Sequence, residues 1–105
     1  MSAEYNRALD LFGEGRFEEA AVLFKQMTEK DPSYADAYEA LGRTYYRMDR
    51  LDDAIECMEK LAALQPDHAM AHTNLSVFYM KKGLIQKAEE EKAKATVLNF
   101  GKMKK

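Results

Sequence analysis

The chain has 105 residues, of which 47% are hydrophobic and 32% charged, and its formal net charge is −2. That balance fits a folded globular protein rather than a disordered one, and no run of about 18 apolar residues is present to cross a membrane. The small net charge hides a split. Residues 1–34 carry four basic and seven acidic side chains, residues 35–68 four and eight, and residues 69–105 eight and three, giving −3, −4 and +5.

Apolar residues recur at three- and four-residue spacing from the start, which predicts a first helix over 2–13. A break at Gly15 leads into a second periodic segment, 17–30. Asp31-Pro32 closes it, because proline has no amide hydrogen and disfavours helix in the residue before it. The third predicted helix, 35–47, carries Gly42 in its middle, inside the stretch YEALGRTYYRM. Glycine there weakens a helix by roughly 1 kcal/mol relative to alanine. A break at Asp49 precedes the fourth helix, 51–64, which Gln65-Pro66 ends. The fifth, 69–81, and the sixth, 85–99, flank Gly83.

These elements repeat. Pro32 and Pro66 lie 34 residues apart, and the same step links Ala20, Ala54 and Ala88; Ala3, Ala37 and Ala71; and Phe17, Leu51 and Ile85. Leu11, Tyr45 and Tyr79 keep it, and so do Phe12, Tyr46 and Met80. The break residues Gly15, Asp49 and Gly83 share it too. Gly42 falls in register with Ala8 and Ser76, so that place always holds a small residue. A helical hairpin used three times accounts for this pattern, with repeats over about 1–34, 35–68 and 69–102 of a single domain. Ala8 is then expected to face Ala20, Gly42 to face Ala54, and Ser76 to face Ala88. Gly42 serves close approach of two helix backbones.

The pattern resembles the tetratricopeptide repeat, best matched by ADAYEALGRTYYRMDRLDDAIECMEKLAALQP. The resemblance implies an all-α, right-handed superhelix of three hairpins. The outer repeats depart from it: Glu4 and Arg7 replace a large aromatic and a leucine, His72 and Lys92 replace aromatics, and Phe100 replaces proline. Terminal repeats of a stack tolerate such changes because one face meets water. A short basic tail is expected over 101–105.

The resemblance further implies that the first helix of each hairpin lines a concave face. On this chain that face takes Ser2, Tyr5, Leu9, Phe12 and Gly13 from the first unit. The second supplies Asp36, Glu39, Arg43, Tyr46 and Arg47, and the third Met70, Thr73, Val77, Met80 and Lys81. The expectation is a groove with apolar ends and a charged middle, in which Phe12, Tyr46 and Met80 hold apolar anchors and Arg43 and Arg47 are available for a carboxylate. The alternative is that the rings pack against the next helix and the arginines form a solvated face. One subfamily grips the C-terminal carboxylate of heat-shock chaperones with lysine, asparagine and arginine side chains. The matching places here are Tyr5, Leu9, Ala40, Met70 and Asn74, which supply no cation, so capture by that clamp is not expected.

Other constellations point away from chemistry. His68 and His72 have a metal-like spacing, but one falls in a turn and the other at an inward place, so no metal site is expected. Glu89, Glu90 and Glu91 interleave with Lys87, Lys92 and Lys94 and read as a solvated, salt-bridged helix face. Cys57 has no activating neighbour, and there is no glycine-rich phosphate loop. No catalytic residue and no cofactor are expected. Basic charge is confined to the third repeat, so nucleic-acid binding is not expected either. Met27 and Met58 read as core and Met48 as turn, while Met70 and Met80 suit adaptable binding. The opening MSAEYNRALD lacks a basic segment followed by an apolar core, and Cys57 is the single cysteine. The expectation is a cytoplasmic chain without a secretory leader. Its function reads as a protein-interaction adaptor that docks a peptide or helix. The competing reading is a homo-oligomeric scaffold assembled end to end, through Val97, Leu98, Phe100 and the charge split.

Overall fold

The computed structural model describes residues 2–103. They form six helices: α1 (Ala3–Gly13), α2 (Phe17–Lys30), α3 (Ala35–Arg47), α4 (Leu51–Leu64), α5 (Ala69–Lys81) and α6 (Ile85–Met103). Among the described residues there is no strand. The first five helices match the sequence expectation to within a residue. The sixth runs past residue 99, because Phe100 stands where Pro32 and Pro66 end the earlier outer helices, and every amide needed to continue is present. Residues 101–103, expected in the tail, are therefore the last part of α6, and Lys104 and Lys105 lie outside the described residues.

One backbone device turns each hairpin. Gly15, Asp49 and Gly83 have φ of 79°, 62° and 79°, in the left-handed region where glycine carries no steric cost. The amides of Arg16, Arg50 and Leu84 then reach back to the carbonyls of Leu11, Tyr45 and Tyr79, all at 2.9 Å. These bonds satisfy carbonyls that a helix end otherwise leaves without a partner. Ser2 caps α1 by accepting from the Tyr5 amide at 3.1 Å. His68 caps α5, its Nδ1 accepting from the Ala71 amide at 3.1 Å.

Packing within hairpins follows the small-residue rule. Ala8, Ala20, Ala54 and Ala88 are all fully buried, and Gly42 is buried against α4. A Cβ at Gly42 would lie 2.7 Å from Met58 Cε, 3.2 Å from Cys57 Cβ and 3.4 Å from the Ala54 carbonyl oxygen. Phe24, Met58 and Leu61 fill the centre of the core. Successive hairpins join through α2 on α3 and α4 on α5, and α1 also touches α3 directly. Tyr46 of α3 stacks on Phe78 of α5, with centroids 4.7 Å apart and planes 18° from parallel. The first helices of the hairpins are thus drawn together along one side, here called the inner face.

Candidate partner-docking face

The inner face begins with rings fixed by the fold. Phe12, half-buried at the end of α1, meets Phe17 of α2 edge-on at 5.3 Å. From α3, the Arg43 guanidinium lies 5.6 Å from the Phe12 ring centre, and that of Arg47 lies 5.8 Å from Phe12 and 4.9 Å from Phe17. Lys81 Nζ sits 5.4 Å from the Tyr46 ring. Attraction between a cation and the electron-rich face of a ring contributes about 0.5–1 kcal/mol at exposed sites, enough to bias where these long side chains rest. All three cations remain exposed. They are therefore neither a plain solvated face nor buried packing, but cations held over rings at the joints between hairpins.

Leu9, Met70, Val77 and Met80 expose 40%, 56%, 45% and 45% of their surface. Val77, Met80, Lys81 and Thr73 line a furrow of about 570 Å³ between α5 and α6, opposite Lys92 and Thr96. The Thr73 hydroxyl is occupied, donating to the Ala69 carbonyl at 3.1 Å. Asp36 is exposed, and Glu39 is half-buried with its carboxylate 3.2 Å from His68 Nε2. Ser2 is spent as a cap, and Gly13 is exposed at the end of α1. Tyr5 differs from the groove expectation: it is 8% exposed, packed edge-on against Phe24 at 5.8 Å and stacked on Tyr34 at 5.9 Å. It belongs to the core because it closes the first hairpin against the turn into the second. Burial, followed by the charges of Asp36 and Glu39, raises its hydroxyl pKa.

On the opposite side, a larger groove of about 820 Å³ runs between α4 and α6 over His72, Leu75 and Tyr79. The register-matched groove over Tyr38, Leu41 and Tyr45 is about 230 Å³. The difference follows from His72 in the place of Tyr38, and from Ala62 and Ala63 in the places of Thr28 and Glu29. At its floor, His72 Nδ1 is 2.7 Å from a Glu91 carboxylate oxygen, and Nε2 is 2.9 Å from the Pro66 carbonyl. Both neighbours are acceptors, so the two ring nitrogens of His72 each face a carbonyl or carboxylate oxygen. Burial pushes the Glu91 carboxyl up, but hydrogen bonds from His72 and from Lys94 (3.0 Å) outweigh it and leave the group below the usual carboxylate range. Glu91 is therefore not part of the solvated acidic face expected for Glu89–Glu91: the helix turns it inward to meet His72. Tyr79 donates to Glu59 at 3.0 Å, and burial together with that carboxylate pushes its hydroxyl up to about 12. Cys57 is buried, which pushes its thiol up to about 12.

The sequence reading missed the His72–Glu91 pair and the arginine–ring contacts. A signal for the first was present. His72 and Glu91 replace Tyr38 and Cys57, two places that line the same groove one repeat earlier, so both polar changes fall where they meet.

A stack of three helical hairpins with a uniform turn defines the class of α-helical repeat solenoids. A sequence profile described as Tetratricopeptide repeat matches residues 11–73. The chain belongs to the tetratricopeptide repeat family, whose fold is in general a non-catalytic interaction module. It is 35% identical over 69 residues to the peroxisomal targeting signal receptor of Yarrowia lipolytica, covering 66% of this chain and 12% of that protein. The crystal structure of MamA superposes with a TM-score of 0.94 at 29% identity, over 98% of this chain and 60% of that one. The type III secretion chaperone SycD of Yersinia enterocolitica, in complex with a peptide of the translocator YopD, superposes with a TM-score of 0.88 at 21% identity. That match covers 90% of this chain and 72% of SycD, and shows the shared fold. No helix among the described residues is long and apolar enough to cross a membrane.

Proposed function

We propose that the inner face docks a segment of a partner protein and performs no chemistry of its own. The observation that carries this reading is the row of solvent-facing Val77 and Met80 beside a furrow of about 570 Å³, adjoining cations held over rings. Apolar side chains left open next to ordered polar groups are the usual makings of a docking surface, where a few well-packed anchors supply most of the binding energy. Leu9, Phe12, Tyr46 and Met70 extend the surface. Asp36, Glu39 and Thr73 border it, and Tyr5 supports it from beneath. SycD is in complex with a peptide, which is in keeping with a binding role for this fold. The test is affinity capture with wild type and a Val77→Ser/Met80→Ser variant, checking helicity by circular dichroism. The variant should lose the wild type's partners at unchanged helicity; if it keeps them all, the inner face is not the docking surface.

Assembly end to end is the second reading, favoured by Val97 and Phe100, 69% and 57% exposed near the end of α6, together with the charge split along the chain. Exposed charge attraction is screened by salt. Light scattering should then show a mass that rises with protein concentration and falls with added salt, whereas a concentration-independent monomer excludes it.

A further inference from the structure

We infer that the segment this face accepts is acidic and lies within its own chain rather than at its end. Side-chain carboxylates would meet Arg43, Arg47 and Lys81, with an apolar residue beside Val77 and Met80. The inference rests on the docking reading above and adds the partner's chemistry to it. Arg43 and Arg47 are one turn apart on α3, roughly 6 Å along the axis, and Lys81 ends the neighbouring α5. Each is held by a ring, and a ring contact engages the π face without satisfying the N–H donors. Among the described residues no carboxylate lies within ion-pair distance of any of the three. Arg16, by contrast, pairs with Glu14 and Glu19, Arg50 with Asp53, Lys82 with Asp52 and Lys94 with Glu91. Of the acidic groups on and beside the face, Glu39 is engaged by His68, and Asp36 and Glu89 form no ion pair with any of the three cations.

Equally local features disfavour a chain end. At the places that resemblance assigns to a terminal carboxylate, Tyr5 and Ala40 are buried and Leu9 and Met70 are apolar. The Asn74 amide is turned to the sulfur of Met58 at 3.8 Å. The free donors lie instead on α3 and α5, where an internal segment crossing both helices would run over all three. Guanidinium groups bind carboxylates through paired N–H bonds, so the two arginines carry most of the selectivity and Lys81 adds a point charge.

Fluorescence anisotropy on the full chain tests this with an acetylated, amidated peptide of interspersed glutamate and leucine, beside a twin with glutamine for every glutamate. The acidic probe should bind at least about tenfold more tightly than its twin and weaken as salt is added. Arg43→Gln/Arg47→Gln should abolish the difference at unchanged helicity, and Arg47→Lys should keep the salt dependence while losing part of the affinity. Equal binding of the twin overturns the inference. So does an acidic preference that survives Arg43→Gln/Arg47→Gln/Lys81→Gln, a requirement for a free C-terminus, or no binding of the acidic probe at about millimolar concentration. If both peptides bind alike and both are lost in Val77→Ser/Met80→Ser, the acidic preference falls and the docking reading stands. If both persist through every inner-face variant, the docking reading falls as well.

Discussion

Replacing Gly42 by valine should destabilise the fold by roughly 1–3 kcal/mol, the usual cost of overfilling a packed interior. The structure shows where that cost arises. A Cβ alone would lie 2.7 Å from Met58 Cε and 3.2 Å from Cys57 Cβ. The methionine tip can swing, but Met58 is fully buried, so its neighbours must move with it. The Cys57 Cβ is fixed to the α4 backbone and yields only if the two helices separate. Alanine meets just these contacts and regains about 1 kcal/mol of helix propensity, so Gly42→Ala should shift stability by less than about 1 kcal/mol. Valine adds two more carbons in the same space. For a domain of this size each kcal/mol moves the melting temperature by roughly 4–8 °C, so circular-dichroism melts resolve the two variants easily. Combining Gly42→Val with Met58→Ala should cost less than the sum of the single changes, by about 0.5–3 kcal/mol, because the truncated side chain vacates the space. A Gly42→Val protein that melts at or above the wild-type temperature would refute the close-approach argument.

Among the described residues Asp49 is the one non-glycine with positive φ, so Asp49→Gly should stabilise by about 0.5–1 kcal/mol and Asp49→Val should destabilise, as read from urea unfolding midpoints. Glu91 has a depressed pKa in the fold, so its contribution is present above the unfolded carboxylate pKa and is lost as pH falls through the folded value. The stability gap between wild type and Glu91→Gln, measured by denaturant unfolding at a series of pH values, should therefore close on acidification; a constant gap would contradict the pairing with His72 and Lys94. Cys57, with its thiol pushed up to about 12, should react with a thiol-specific disulfide reagent only after denaturant is added. Rapid labelling of the folded protein would show that the site opens.

Helix positions were legible in the sequence because they depend on local signals: the period-34 alanines, the paired prolines and the turn residues each act within a few neighbours. The last helix is the exception: its end was expected at residue 99, although Phe100 in the place of Pro32 and Pro66 removes the signal that stops the earlier outer helices. Side-chain partners were legible only where both members lie in the repeat pattern, as with Gly42 and Ala54. The fate of Arg43 and Arg47 depended on rings at Phe12 and Phe17, in another hairpin, and no spacing rule along one helix carries that information. Tyr5 departs from the groove expectation for a related reason. Its exposure is set by Tyr34, a residue in the connecting turn that the helical register does not describe.

The ring-held arginines have a mechanical corollary. Arg43 and Arg47 belong to the second hairpin but rest on rings of the first, and Tyr46 reaches forward to the third. The side chains that line this face are therefore the same ones that span the seams between units.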